Sequence, residues 1–160
     1  MSMNVFKMID FIGSNNPNYT YDKVKDELPS KPVEDKGYYD DNGRQGEWIE
    51  FLWDSDGKLL EGFDVGTYKN DLKNGLWKLS FGGSGYVYYF FIDGEQKKVD
   101  SNKKEYEEKI RGEKYVITDY YYDTGELFKR YYDNSYRGIT TSEYYSPSGD
   151  LLLRQKFKKR

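Results

Sequence analysis

Neither cysteine nor histidine occurs among the 160 residues. The first absence excludes disulfides and thiolate chemistry, and with them the stapled framework of a small secreted module. Together the two absences remove the usual zinc ligands, the Ser-His and Cys-His dyads, and the side chain best suited to proton transfer near neutral pH. A surplus of one charge is also missing. Twenty-five basic residues face 28 acidic ones, for a net charge of −3. That balance lacks the positive excess of a nucleic-acid binder, so no nucleic acid is expected as partner. There is no run of about 18 apolar residues to span a bilayer. The opening stretch Met1–Gly13 has Lys7 and Asp10 among its apolar residues. It lacks the uncharged core and small-residue cleavage site of a secretory leader, and the expectation is a cytoplasmic protein.

What the chain has is aromatic. Eighteen Tyr, nine Phe and three Trp make up 19% of it, with sixteen Gly beside them. Aromatic rings suit pleated, half-buried positions and pair across strands, and glycine serves turns. The expected fold is mainly β: an antiparallel meander of repeated hairpins with about eight to ten strands. The length suits a single domain, 1–160.

Within it, residues 1–36 are expected to form an N-terminal helical and loop segment. Val5, Phe6, Met8, Ile9, Phe11 and Ile12 fall on or near one helical stripe over 3–12. A second short helix is expected after Thr20 or Asp22 as N-cap, stopped by Pro29. From Gly37 onward the pattern is that of strands. Tyr39 is followed by Gly46 and Trp48, and Tyr68 by Gly75 and Trp77 at the same spacing, 29 residues on. Tyr131 and Gly138 echo the phrase with Thr140 in the place of Trp. A second phrase, a polar pair, Gly, a charge and Leu, recurs at Gly57, Gly125 and Gly149. It reads as a hairpin turn after which an apolar residue restarts the strand. The repeats run over 37–96, and degenerate copies with a basic tail over 114–160. Between them, 97–113 reads as an insert. A capping residue is followed there by helix formers, with Tyr106 and Ile110 four apart, so a helix, or else a charged excursion, is expected over 100–111.

The phrases "YYDDNGRQGEWIEFLWDSDGKLLEGF" and "TYKNDLKNGLWKLSF" resemble the bacterial variant of the MORN repeat, as in YwqK-type antitoxin or immunity-like proteins. The resemblance implies successive β-hairpins in an elongated or rolled antiparallel sheet. It also implies a non-enzymatic protein-binding module that neutralises a cognate toxin. In that reading Tyr39, Gly46, Trp48, Gly57, Tyr68, Gly75, Trp77, Gly125, Gly138 and Gly149 are structural residues of the repeat. The other roles weighed for the chain are a MORN-like scaffold or membrane-surface protein and, more remotely, a carboxylate-dependent enzyme.

Sites of chemistry are scarce. If Gly57 held the sixth position of a calcium loop, Leu52 and Phe63 would fall at its first and twelfth, and neither ligates. The "GGSG" of Gly82–Gly85 lacks the ending of a phosphate loop. No carboxylate pair is singled out for acid–base work. No catalytic residue, cofactor or metal is therefore assigned. Charge segregation is the remaining signal. From Glu34 to Asp64 ten acidic residues stand against three basic ones. The candidate partner-binding acidic face consists of Asp40, Asp41, Glu47, Glu50, Asp54 and Asp56, suited to a basic toxin domain whose own substrate is phosphate-rich. The tail "RQKFKKR" carries five basic residues, a weak membrane signal when alone. Open sheet edges allow a homodimer.

Overall fold

The computed structural model describes residues 35–57, 60–80 and 85–159. The two expected N-terminal helices lie outside these residues. Eleven strands in chain order make up the described part: β1 (Lys36–Asp40), β2 (Gly43–Trp53), β3 (Leu60–Lys69), β4 (Leu72–Ser80), β5 (Tyr86–Ile92), β6 (Glu95–Gln96), β7 (Val99–Ile110), β8 (Glu113–Tyr122), β9 (Leu127–Asn134), β10 (Ile139–Tyr145) and β11 (Leu151–Lys158). All pairings are antiparallel, between strands consecutive in sequence. They form two meander sheets, β1 to β6 and β7 to β11, where the sequence suggested one. The chain divides into two compact units between Gln96 and Lys97.

In the first sheet the 29-residue repeat sets the packing. Trp48 and Trp77 are 3% and 0% exposed, and each indole covers a glycine of the preceding strand. A Cβ at Gly37 would lie 2.2 Å from Trp48, and one at Gly66 would lie 2.1 Å from Trp77. No side chain larger than hydrogen fits there. A ladder of edge-to-face rings runs from Tyr39 to Trp48 (4.9 Å), Tyr68 (5.8 Å) and Trp77 (4.9 Å). Phe91, Leu79 and Tyr89 complete this cluster. The repeat extends to polar contacts. Asp35 Oδ1 accepts the Phe51 N–H at 2.9 Å, and Asp64, 29 residues on, accepts the Ser80 N–H at 2.8 Å. On the opposite face, Phe51 meets Phe63 at 6.2 Å. Lys78, also buried, lies 5.4 Å from the Phe63 ring centre and 4.6 Å from that of Tyr86.

In the second sheet, residues 100–111, expected as a helix, belong instead to the twelve-residue edge strand β7 (Val99–Ile110) and the turn after it. Helix propensity is a weak prior, and an adjacent strand can overrule it. Here Val116, Ile117 and the tyrosines of β8 offer a β-prone ladder, and β7 pairs with it from Lys103 to Ile110. The turn is the pair Arg111–Gly112, with φ of 52° and 81°, the conformation of a two-residue hairpin turn. The many charges of β7 suit an edge strand, because they discourage further pairing.

Sheet two has its own repeat, 24 residues long. "TDYYYDTGELFKR" (118–130) and "SEYYSPSGDLLLR" (142–154) occupy equivalent strands and turns. Asp119 pairs across the ladder with Arg130, and Glu143 with Arg154. Asp119 and Glu143 are each 2% exposed. Arg130 binds Asp119 in bidentate fashion at 2.7 and 2.9 Å, and Tyr106 donates to the same carboxylate at 3.0 Å. Arg154 donates to Glu143 from Nε at 2.9 Å and also from Nη2, and Tyr145 donates at 2.9 Å. Burial pushes both carboxyls up, but these charged and phenolic donors outweigh it and hold them below the usual carboxylate range. The Tyr106 and Tyr145 hydroxyls, by burial and by donating to carboxylates, are pushed up to about 12. Phe128 meets Tyr122 at a tilt (5.1 Å) and Tyr144 edge to face (5.6 Å), and the Tyr122 hydroxyl donates to the Tyr145 carbonyl at 2.6 Å.

Candidate functional site

Three turns gather at one end of the first sheet. They occupy residues 41–42, 70–71 and 93–94, closing the hairpins β1–β2, β3–β4 and β5–β6. Asn70, Asp71 and Asp93 adopt positive φ (50°, 65° and 46°). Asn and Asp tolerate that region better than most residues, because short polar side chains bond locally.

The turns are tied side by side. The Asp71 N–H donates to the Arg44 carbonyl at 3.0 Å, and the Gly94 N–H donates to the Lys73 carbonyl at 2.8 Å. The Asn70 N–H donates to Gln45 Oε1 at 3.0 Å, and the Asp93 N–H to Asn74 Oδ1 at 2.9 Å. Arg44 with Lys73, and Gln45 with Asn74, are again 29 apart. The repeat therefore sets the spacing of the turns as well as the core. It brings Asp40, Asp41, Asp71 and Asp93, all exposed, to one end of the sheet.

Arg44 is engaged among these acids. It donates from Nε to Asp71 at 2.6 Å and from Nη1 to the Tyr68 hydroxyl at 2.8 Å, and it lies 3.3 Å from Glu50. Its guanidinium sits 4.0 Å from the Tyr68 ring centre. The Arg44 side-chain bond holds Asp71 below the usual carboxylate range. The Tyr68 hydroxyl donates to Glu50 at 2.6 Å, and burial together with that bond moves its pKa well above the ordinary value. Across the ladder from Glu50 stands Asp64, whose carboxyl is raised by burial despite the Ser80 N–H it accepts.

The six acidic residues read from the sequence do not form one face. Asp40 and Asp41 sit at the turn row, where Asp40 Oδ1 accepts from the Asn42 N–H at 2.7 Å and Gln45 Nε2 at 3.1 Å. Glu47 is exposed on β2. Glu50 falls on the opposite face, its side chain 21% exposed and bound to Arg44 and Tyr68. Asp54 and Asp56 stand at the β2–β3 turn, beyond the other end of the eleven-residue β2. A strand of that length separates the two ends by roughly 35 Å.

Of the repeat residues, Trp48, Tyr68 and Trp77 are buried. Gly46 and Gly75 lie inside β2 and β4 rather than at the turns, with φ of 72° and 81°. Next to each, the ladder register slips, as at a β-bulge. Gly57, Gly125 and Gly149 occupy tight turns, their N–H groups donating to the carbonyls of Asp54, Tyr122 and Ser146 at 2.9 Å. Gly138 immediately precedes β10 with φ of 65°.

Sequence reasoning missed Asp71, Asp93 and the tyrosines of β1 as surface groups. Tyr38 and Tyr39 are 59% and 70% exposed, and every residue of β1 is exposed to some degree although Gly37 and Tyr39 also touch Trp48. Aligning the copies at 29 would have placed Asn70 and Asp71 on Asp41 and Asn42. It would also have revealed Gly37 and Gly66. Among the described residues no group of three acidic side chains converges to hold a metal ion. No family model, curated protein or solved structure matches the chain.

Proposed function

We propose that the chain is a non-enzymatic binding module of the antitoxin or immunity type, occluding a basic toxin domain in the cytoplasm. The resemblance of its repeats to the bacterial MORN variant supports this reading. The observation that carries it is the exposed pair Tyr38 and Tyr39 continuous with Asp40 and Asp41, beside the acidic turns at Asp71 and Asp93. Tyrosine gives large amphipathic contact area at binding hot spots. Surrounding carboxylates speed the encounter with a cationic partner and reject anionic ones.

The test is a paired pull-down from host lysate with the wild-type chain and the variant Asp40→Lys/Asp41→Lys/Asp93→Lys. All three side chains are exposed, but Asp40 also accepts from Asn42 and Gln45 and Asp93 holds a positive φ, so the comparison is made with a variant whose circular dichroism and melting temperature match those of the wild type. A basic protein held by the wild type in stoichiometric amount and lost by the variant is the expected result. Equal recovery by both chains would contradict the reading.

A further inference from the structure

The 24-residue repeat of the second sheet stops one strand short. β9 has partners on both sides, with Asp119 of β8 and Glu143 of β10 each directly opposite Arg130. β11 is the copy of β9, and Arg154 is the copy of Arg130. Arg154 has Glu143 on one side. Among the described residues no strand lies on the other. One row thus crosses the sheet as Lys104, Asp119, Arg130, Glu143, Arg154, alternating in sign and ending on a cation at the β11 edge. Exposure follows the missing neighbour: the Arg130 side chain is 33% exposed and that of Arg154 is 57%. Leu151 and Leu152 at the start of the same strand are 48% and 42% exposed. Lys156 and Lys158 add exposed positive charge along it.

We propose that the outer edge of β11 is a docking site for an extended acidic segment of a partner protein. The segment adds as an antiparallel sixth strand with a carboxylate opposite Arg154. The two strands that flank β9 show what such a strand looks like. β8 reads Thr118-Asp119-Tyr120-Tyr121 and β10 reads Ser142-Glu143-Tyr144-Tyr145. Hydroxyl, carboxylate and two aromatics in succession are therefore the expected pattern. Main-chain hydrogen bonds supply affinity in this mode, and alternate side chains supply specificity. The site lies on the second sheet and does not depend on the acidic turn row.

The probe is a fluorescein-labelled peptide with the sequence of residues 139–146, ITTSEYYS, titrated into the full chain by anisotropy. A second peptide carries Lys at the position of Glu143. The acidic peptide should bind at least tenfold more tightly than its lysine counterpart, and it should slow amide exchange in β11. The chain variant Lys156→Glu leaves the Glu143–Arg154 pair intact and should weaken the acidic peptide. Arg154→Glu, if it folds, should reverse the preference between peptides. Three results would overturn the proposal: no binding, equal binding of both peptides, or protection confined to β7. A stable dimer whose β11 is already protected would do so as well, by assigning the edge to a second copy.

Discussion

Gly66 shows how much one residue decides. Its position opposite Trp77 lets the indole lie on the backbone of β3, and a methyl group there would come within 2.1 Å of the ring. Gly66→Ala should destabilise the chain by about 1–3 kcal/mol, because the indole must leave its place in the aromatic ladder. Urea denaturation followed by tryptophan fluorescence would measure it, and a change within a few tenths of that of a surface substitution would count against this packing. The tyrosines divide by the same logic of contact. Tyr68 is 4% exposed and bound to Glu50, whereas Tyr39 is 70% exposed. Tyr39→Ala should therefore cost no more stability than its edge contact with Trp48, about 1 kcal/mol, while weakening binding of the proposed partner; a larger loss of stability would place Tyr39 in the core instead.

For elements, the two buried carboxylate–arginine pairs define how the second sheet responds to pH. Asp119 and Glu143 titrate lower in the folded chain than in the unfolded one. The unfolded chain then binds more protons in acid. The stability these groups contribute is complete above the ordinary carboxylate pKa of about 4, and it is lost as pH falls through the depressed folded values. Asp64 in the first sheet works in the opposite sense. Its folded pKa is raised, so its contribution is present in acid and lost as pH rises through that value. Melting temperature should thus stay nearly level from neutral pH to about 5 and fall below about 4. Asp119→Asn should flatten part of the acid limb. Asp119→Ala should cost roughly 3 kcal/mol by urea denaturation, the low end for a broken buried pair, since Arg130 is one-third exposed and partly solvated. A cost near that of an exposed pair would show that the row is a surface feature. The hairpins and the β-dominated fold could be read from the sequence, because turn phrases and aromatic strands are local signals. β7 could not. Tyr106 and Ile110 suit a helix, and only the ladder offered by β8 makes them a strand. The buried pairs were missed for a similar reason. Each joins residues eleven apart, and they become visible only once 118–130 is laid over 142–154.

At the scale of the molecule, charge placement rather than net charge carries the functional account. The net value of −3 is unremarkable, yet acidic turns line one end of the first sheet while basic side chains line the last strand of the second. The acidic residues from Glu34 to Asp64 suggested a single face. Strand alternation and the length of β2 divide it, sending Glu50 inward and Asp54 and Asp56 to the far end. What sequence spacing left hidden was the stacking of turns from separate hairpins, which depends on the Gln45 and Asn74 side chains bonding the next turn. The measurement that tests the binding account most directly is the association rate of the captured basic partner at low and high salt. It would be compared between the wild-type chain and the Asp40→Lys/Asp41→Lys/Asp93→Lys variant. The account predicts a wild-type rate that falls steeply with salt, and a variant slowed about tenfold or more at low salt, with the two converging at high salt. Identical rates for the two chains at low salt would contradict it.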